Sequence, residues 1–470
     1  MSLTDTAAKQ DQSVTRPGSG ILGLNRDILF TITQYCLSHE DSESIEIPPT
    51  LQSQQLILCQ VCRSLRSLIL TSPSLWTRFT FTGTKLGQHR ELFKEWLSRA
   101  EGLLDSFPIS IENREGCSFS VVELEEFVLP YSDRLLRLHL YLEYEALDRL
   151  FHPILPIAFP RLANFSVICS DFQQPSLLDV EPIFRGSPVE EFAMTLGPPV
   201  LIRGLGISWA GLRVLRLIVT RARFYFPISW IHAILNACRE TLETCSISLE
   251  PTTDPDLPRL TLPHLNHLSI HFRDSGWKTQ AGFFNFLSLP SLLSLELSCY
   301  DGLAFNEACS ALKSFFHRSS SIRRLCFERT PSPGMGFSTT VNSLEVVNIL
   351  TLLSNLRSIH LPKGPHTNIV AVLEAVLLKG VCPFLETMEI TVNNGMQVVR
   401  VIQALWNETA GIGGRERSIR GIKLVDPKLS WIGNDESSQT EDPDIAAVQA
   451  ILRELKDEGL VVTLTNTLEA

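Results

Sequence analysis

From residue 135 onward the chain repeats one short pattern: apolar, two variable positions, apolar, one variable position, apolar. It occurs as LLRLHL from Leu135, LANFSV from Leu162, VEEFAM from Val189, LRVLRL from Leu212, LETCSI from Leu242 and LNHLSI from Leu265. It continues as LLSLEL from Leu292, IRRLCF from Ile322, LRSIHL from Leu356, LETMEI from Leu385 and IRGIKL from Ile419. Steps between copies run from 23 to 34 residues. The alternation at the fourth to sixth positions predicts a β-strand in each copy. Turn signals precede several copies, at Pro160, Pro188, Pro263, Pro290 and Pro383. Helical stretches lie between them, starting at Ser229, Leu303, Val341 and Asn368. Strand, turn, helix and turn at this period predict an α/β array of parallel strands with helices on the other side. One such unit cannot bury its own apolar face, so neighbours must stack to build a continuous core. The segment DIAAVQAILRELKDEGLVVTLTN near the end supplies an amphipathic helix and a last strand that suit a cap.

The front of the chain has a different rhythm. Ile28, Leu29, Ile32, Cys36 and Leu37 recur at helical spacing, with Asn25 or Asp27 placed to stabilise the helix start. An acidic stretch from Ser38 to Thr50 contains Pro48-Pro49 and reads as a loop. Leu58, Val61, Cys62, Leu65, Leu68 and Ile69 form a second helical stripe, which Thr71-Ser72-Pro73 should end, and Leu75 and Trp76 follow as bulky anchors. Beyond them, Thr77 to Thr82 alternates like a strand, Gln88 to Leu104 reads as a helix with Leu92, Trp96 and Leu97 on one face, and Phe107 to Ile111 alternates again. The expected organisation is a loose tail at 1–20, a helical module at 21–76, a bridging region at 77–134 and the repeat array at 135–470.

The module at 21–76 resembles an F-box of the kind expanded in basidiomycete fungi. Leu24, Asp27, Ile28, Leu29 and Ile32 match the first block of that pattern, Leu58, Val61, Cys62 and Arg66 the second, and Pro73, Leu75 and Trp76 the third. Asn25 stands where proline is usual and Leu65 where tryptophan is usual, and the loop between the blocks is long. The helix-then-strand order of the bridging region resembles the same family. The array resembles leucine-rich repeats, in an irregular form without the asparagine or cysteine that usually follows the strand. The resemblance implies an N-terminal F-box followed by an irregular solenoid, with strands on the concave face and helices on the convex face. It also implies docking on a Skp-type adaptor, and through it a cullin, by Leu24, Asp27, Ile28, Leu29, Ile32, Leu58, Val61, Cys62, Leu65 and Trp76. The chain would then be the substrate-recognition subunit of an SCF-type ubiquitin ligase. The alternative is a ligase-independent repeat scaffold whose front helices merely cap the array.

Composition narrows the partners. The chain has 470 residues, 44% hydrophobic and 20% charged, which is globular. Its net charge of -10 disfavours nucleic acid and anionic membrane surfaces. No run of about 18 apolar residues occurs, so no membrane span is expected, and the polar tail has no signal-peptide core. The 11 cysteines are scattered and read as reduced thiols of a cytoplasmic or nuclear protein.

The third, fifth and seventh residues of each repeat strand point away from the core. They give a polar stripe in which His139, Arg216, Ser246, His267, Ser269, His271, Glu296, Glu328, His360 and Glu389 are candidate contacts to an unknown protein target. His267 and His271 lie about 13 Å apart along one strand, too far to share an ion, so no metal is expected. Cys59 and Cys62 read as packing, and no phosphate loop, nucleophile elbow or zinc-protease motif occurs. No cofactor and no enzymatic activity are expected. Thr330-Pro331, Ser332-Pro333 and the acidic stretch from Asn434 to Asp444 read as loops.

Overall fold

The structure is a computed structural model that describes residues 24–37, 44–50, 53–82, 86–101, 108–153, 157–169, 182–196, 206–219, 226–249, 257–272, 282–299, 312–329, 343–361, 369–392, 395–411, 419–425 and 443–465. The tail at 1–20, the Ser-Pro and Thr-Pro loop at 330–340 and most of the acidic loop at 434–444 lie outside the described residues. The chain divides into two compact units, Met1–Tyr141 and Leu142–Ala470. The expected helical module and bridging region both fall in the first.

The first unit opens with helix α1, Arg26–Leu37. Asn25 starts it: its backbone carbonyl accepts from Leu29 N–H, and its side-chain oxygen accepts from Asp27 N–H at 3.2 Å. The second helical stripe is two helices, α2 (Gln54–Val61) and α3 (Arg63–Leu70), where one had been expected. Cys62 separates them with extended backbone, and its sulfur accepts from Leu65 N–H as the cap of α3. Arg66 reaches back to the Cys59 carbonyl at 2.8 Å and ties off the end of α2. Leu29 of α1 packs with Leu65, Leu68, Phe30 and Cys62.

Parallel strands follow in sequence order: β1 (Ile45–Ile47), β2 (Arg78–Phe81), β3 (Ile109–Asn113) and β4 (Leu135–Tyr141), each paired with the next. β1 corrects the reading of Ser38 to Thr50 as loop. Ile45 and Ile47 are buried and flank a half-exposed Glu46, so a short period-2 pattern lay hidden under acidic composition. Helices α4 (Arg90–Glu101) and α5 (Val121–Phe127) alternate with these strands. The core of α4 is Phe93, Trp96 and Leu97; Leu92, expected on that face, is only half buried. Phe79, Phe81, Phe93, Phe119 and Phe127 meet with ring centroids 5.0 to 6.3 Å apart, mostly edge-on or tilted, as their quadrupoles favour. The buried Asn113 side chain donates to the Cys117 and Tyr141 carbonyls and accepts from Tyr141 N–H, joining the ends of β3 and β4.

The second unit is built on a parallel sheet in which each strand pairs with the next of the array. Its strands are β5 (Asn164–Cys169), β6 (Glu191–Leu196), β7 (Val214–Val219) and β8 (Thr244–Leu249). A separate two-stranded pair, β9 (Leu260–Thr261) with β11 (Leu287–Ser288), accompanies β10 (His267–Phe272) and β12 (Ser294–Cys299). The main sheet continues through β13 (Arg324–Arg329), β14 (Ser358–Leu361), β15 (Thr387–Thr391), β16 (Gly421–Val425) and β17 (Val461–Thr465). Each of these strands opens two residues into its repeat hexamer, apart from the last, which follows Leu460 directly. Helices lie between strands at Tyr144–Phe151, Ile228–Ala237, Ser343–Leu350, Ile369–Leu377, Gly395–Gly411 and Pro443–Asp457. No helix of the described residues is long and apolar enough to cross a membrane.

Two features hold this sheet in register. Apolar residues form continuous inward rows across the strands: Leu215, Cys245, Leu268, Leu295, Leu325, Ile359, Met388, Ile422 and Val462 occupy one row, all buried. At the entry to every strand of the main sheet from β7 to β16, one carbonyl of the preceding strand segment accepts two successive N–H groups. Glu190 O takes Arg213 and Val214, Arg213 O takes Glu243 and Thr244, and the same pairing recurs at Glu243, Asn266, Leu293, Arg323, Arg357 and Glu386. Side chains at this position also pair across strands, Arg213 with Glu243 and Arg357 with Glu386.

Leu268→Ala is expected to destabilise the second unit by about 2–5 kcal/mol, because a fully buried leucine leaves a cavity in the row; urea unfolding followed by circular dichroism measures it. Burial holds the Cys117 thiol up at about 11 and those of Cys238 and Cys382 at about 12. At pH 8 these three should therefore stay unmodified by Ellman's reagent until the chain unfolds, whereas the exposed Cys36 should react in the folded protein.

Candidate functional site: two surfaces on separate units

The first surface is on α1. Leu29 and Thr33 point inward, which leaves Leu24, Ile28, Ile32 and Tyr35 outward. Ile28, Ile32 and Tyr35, spaced by four and three residues, lie in one stripe along the helix, and Leu24 stands just ahead of its first turn. Ile28 is 49% exposed and Tyr35 82%. Asp27 is exposed on the same first turn. On α2, Ile57 and Val61 are also exposed, one turn apart. Apolar side chains grouped this way on a folded surface are candidate contact residues for a partner.

The ten residues expected to dock therefore divide. Leu24, Asp27, Ile28, Ile32 and Val61 are at the surface, while Leu58 and Cys62 are half buried. Leu29, Leu65 and Trp76 are interior, and they hold the module together from within. Trp76 is fully buried; its indole N–H donates to the Ile69 carbonyl at 2.8 Å, its ring lies 6.0 Å from Trp96, and the Arg99 guanidinium lies 4.7 Å from its centroid. Tyr35 and Ile57 were not singled out from the sequence. Tyr35 stands seven residues after Ile28, so the same helical period contained the signal. Cys59 is buried and burial raises its thiol, in keeping with a packing role.

The second surface is the outward face of the sheet in the second unit. Arg216, Ser246, Ser269, Glu296, Cys326, His360, Glu389 and Lys423 stand in one register row from β7 to β16. His267 and His271 flank Ser269 on β10, and Glu328 stands opposite Ser298 on β13. His139 lies on β4 of the first unit, next to Tyr141. The face is less wet than its composition suggested: Ser248, Ser269, Ser298 and Cys326 are buried although they occupy its outward positions. His271 Nε2 lies 3.4 Å from both Ser246 Oγ and Ser269 Oγ. Glu389 pairs with Lys423 at 3.1 Å and lies 3.9 Å from His360.

His267 also stands on this face. Burial, then Arg324 and Arg216, lower its pKa below the ordinary 6.5, although Glu296 lies 4.0 Å away and acts in the opposite sense. Burial and two cations outweigh one long, partly solvated contact. Among the described residues, no three His, Cys, Asp or Glu side chains are grouped to hold a metal ion.

The folded chain disfavours protonated His267, so the unfolded chain binds that proton more readily. The ring's contribution to stability is complete above pH 6.5 and is lost as pH falls through the lower folded value. In an NMR titration the His267 ring is expected to have a midpoint below 6.5, and Arg324→Gln should move it back upward. An unshifted midpoint in the wild-type chain would contradict the assigned surroundings. Comparison with known protein families and with curated proteins finds no match to this chain.

Proposed function

We propose that the chain is the substrate-recognition subunit of an SCF-type ubiquitin ligase. In this reading the helical front is an F-box that grips a Skp-type adaptor, and through it a cullin. The strand array is an irregular leucine-rich-repeat-like solenoid that holds a protein target on its strand face. The exposed stripe of Leu24, Ile28, Ile32 and Tyr35 is the observation that carries this reading. It lies in the segment whose residues match the first F-box block, and it offers apolar area that a partner's groove would bury. Interior Leu29, Leu65 and Trp76 give that stripe a rigid support. The role is positional: holding the target near the transfer machinery raises its effective concentration without any bond chemistry by this chain.

The test is co-purification of the full chain with a Skp-type adaptor. The wild-type chain should form the complex, and Ile28→Asp with Ile32→Asp should weaken it by at least thirtyfold, as loss of about 2 kcal/mol at a binding hot spot implies. Both side chains are outside the core, so circular dichroism should be unchanged. A wild-type chain that never binds the adaptor leaves the ligase-independent scaffold as the better reading. A complex that survives both aspartates with wild-type affinity means the docking surface is elsewhere.

A further inference from the structure

The last strand of the array has an open edge. Among the described residues, β16 is the only sheet neighbour of β17. Val461 N–H donates to the Arg420 carbonyl, so by the alternation of a parallel ladder the backbone groups of Val461, Thr463 and Thr465 face β16. Those of Val462 and Leu464 face the open side. Natural edge strands are blunted by shortness, charge or proline. β1, at the other end of the strand order, has all of these: it is three residues long, carries Glu46 in an ion pair with Arg114, and runs into Pro48. β17 has five residues, VVTLT, with no charge and no proline. The core is also less covered there. Leu361, Ile390 and Leu424 stand in one inward row and are buried, whereas Leu464, next in that row, is half exposed. On the helix Pro443–Asp457, Glu454 accepts from Gln403 of the helix Gly395–Gly411 at 2.6 Å. Leu452 lies about 160° around the helix from Glu454, on the side away from that neighbour, and it too is half exposed.

We propose that a second copy of this chain covers this end, with the two β17 strands paired antiparallel about a two-fold axis through Thr463. In that register Val462 stands opposite Leu464 of the second copy, and Leu464 opposite its Val462. Hydrogen-bonded antiparallel pairs exchange both N–H···O bonds, and the residues so paired are the ones whose backbone groups β16 leaves free. Centring on Thr463 also overlaps the whole of both strands. The axis runs perpendicular to the sheet, so inward side chains meet inward ones. Val462 and Leu464 then carry the buried rows across the axis, and the Leu452 side of each helix faces its own copy. On the outward face the two Thr463 side chains meet, a favourable cross-strand pair. Neither strand carries a charge, so chains of net charge -10 meet here without repulsion between the paired residues. A self-complementary contact of this kind closes at two copies, and the blunted β1 offers no edge for head-to-tail growth. The inference is independent of adaptor docking.

Sedimentation equilibrium of the purified full chain should show monomer and dimer in exchange. Thr463 is exposed, so Thr463→Lys disturbs no core position, yet it sets like charges face to face on the axis. It should raise the dimer dissociation constant at least tenfold, whereas Thr463→Ser should leave it within about threefold. In a Cys36→Ser background, Thr463→Cys should form an intermolecular disulfide on mild oxidation, because opposed residues of a non-hydrogen-bonded pair have Cα atoms about 4.5 Å apart. Val461→Cys, which meets Thr465 of the second copy and not itself, should not. Circular dichroism checks that each variant keeps the fold. A chain that stays monomeric at every concentration overturns the proposal, and slow hydrogen exchange at Val462 and Leu464 in that monomer would show another segment of this chain on the edge. A dimer indifferent to Thr463→Lys, or one cross-linked no better at Thr463→Cys than at Val461→Cys, joins through a different surface and overturns it as well. Adaptor co-purification is untouched by any of these results.

Discussion

The hydrogen-bonded step from one parallel strand to the next is the constraint on which this chain depends. A parallel sheet is buried on its packed face and gains stability only when every strand meets its neighbour in the same register. Here a single carbonyl ahead of each strand receives two N–H groups from the strand that follows, from Glu190 through to Glu386. That bond sets the height at which each new strand enters, and the apolar row through Leu215, Leu268, Leu325 and Met388 then meets without offset. A slip by one residue would turn that row outward and bring Arg216, Ser246 and Glu296 into the core. The charge pairs Arg213–Glu243 and Arg357–Glu386 add weak, screened support at the same entry position, each worth roughly 0.2–1 kcal/mol at such exposure.

The same register makes the outward face a lattice of side chains at fixed spacing. His267 is tuned by arginines two strands away on either side because those strands are held parallel and aligned. The first unit has a different division of labour. Its helices turn one apolar set, Leu29, Leu65 and Leu68, toward each other and leave another, Ile28, Ile32 and Tyr35, outside. Adjacent residues of one helix thus divide between the packed interior and the surface.

The strand array was legible in the sequence because three of every six hexamer positions are fixed by burial. Leu162, Leu242, Leu292 and Leu385 announce the strands that begin two residues later. What escaped did so for identifiable reasons. β1 is three residues long, and a single glutamate between two isoleucines looks like part of an acidic loop. The break at Cys62 left no mark in apolar spacing, because a cysteine sulfur can cap a helix while its periodic neighbours continue uninterrupted. The helix Gly395–Gly411, unexpected from the sequence, opens on a glycine, a weak start signal. At the front, the apolar spacing located α1 and the later helical stripe but not which residues face out. Leu29, Leu65 and Trp76 share the type of Ile28 and Val61, and only packing tells them apart.

The uneven distance from one strand to the next has a consequence for how such a chain can change. Each strand fixes its height from the entry carbonyl of its predecessor, so the loops that join strand to helix and helix to strand need not match in length. Residues can be gained or lost in those loops without disturbing alignment, and the cost of closing a longer one rises only logarithmically with its length. The outward side chains can thus change one position at a time, while the fold is specified again, locally, at every rung.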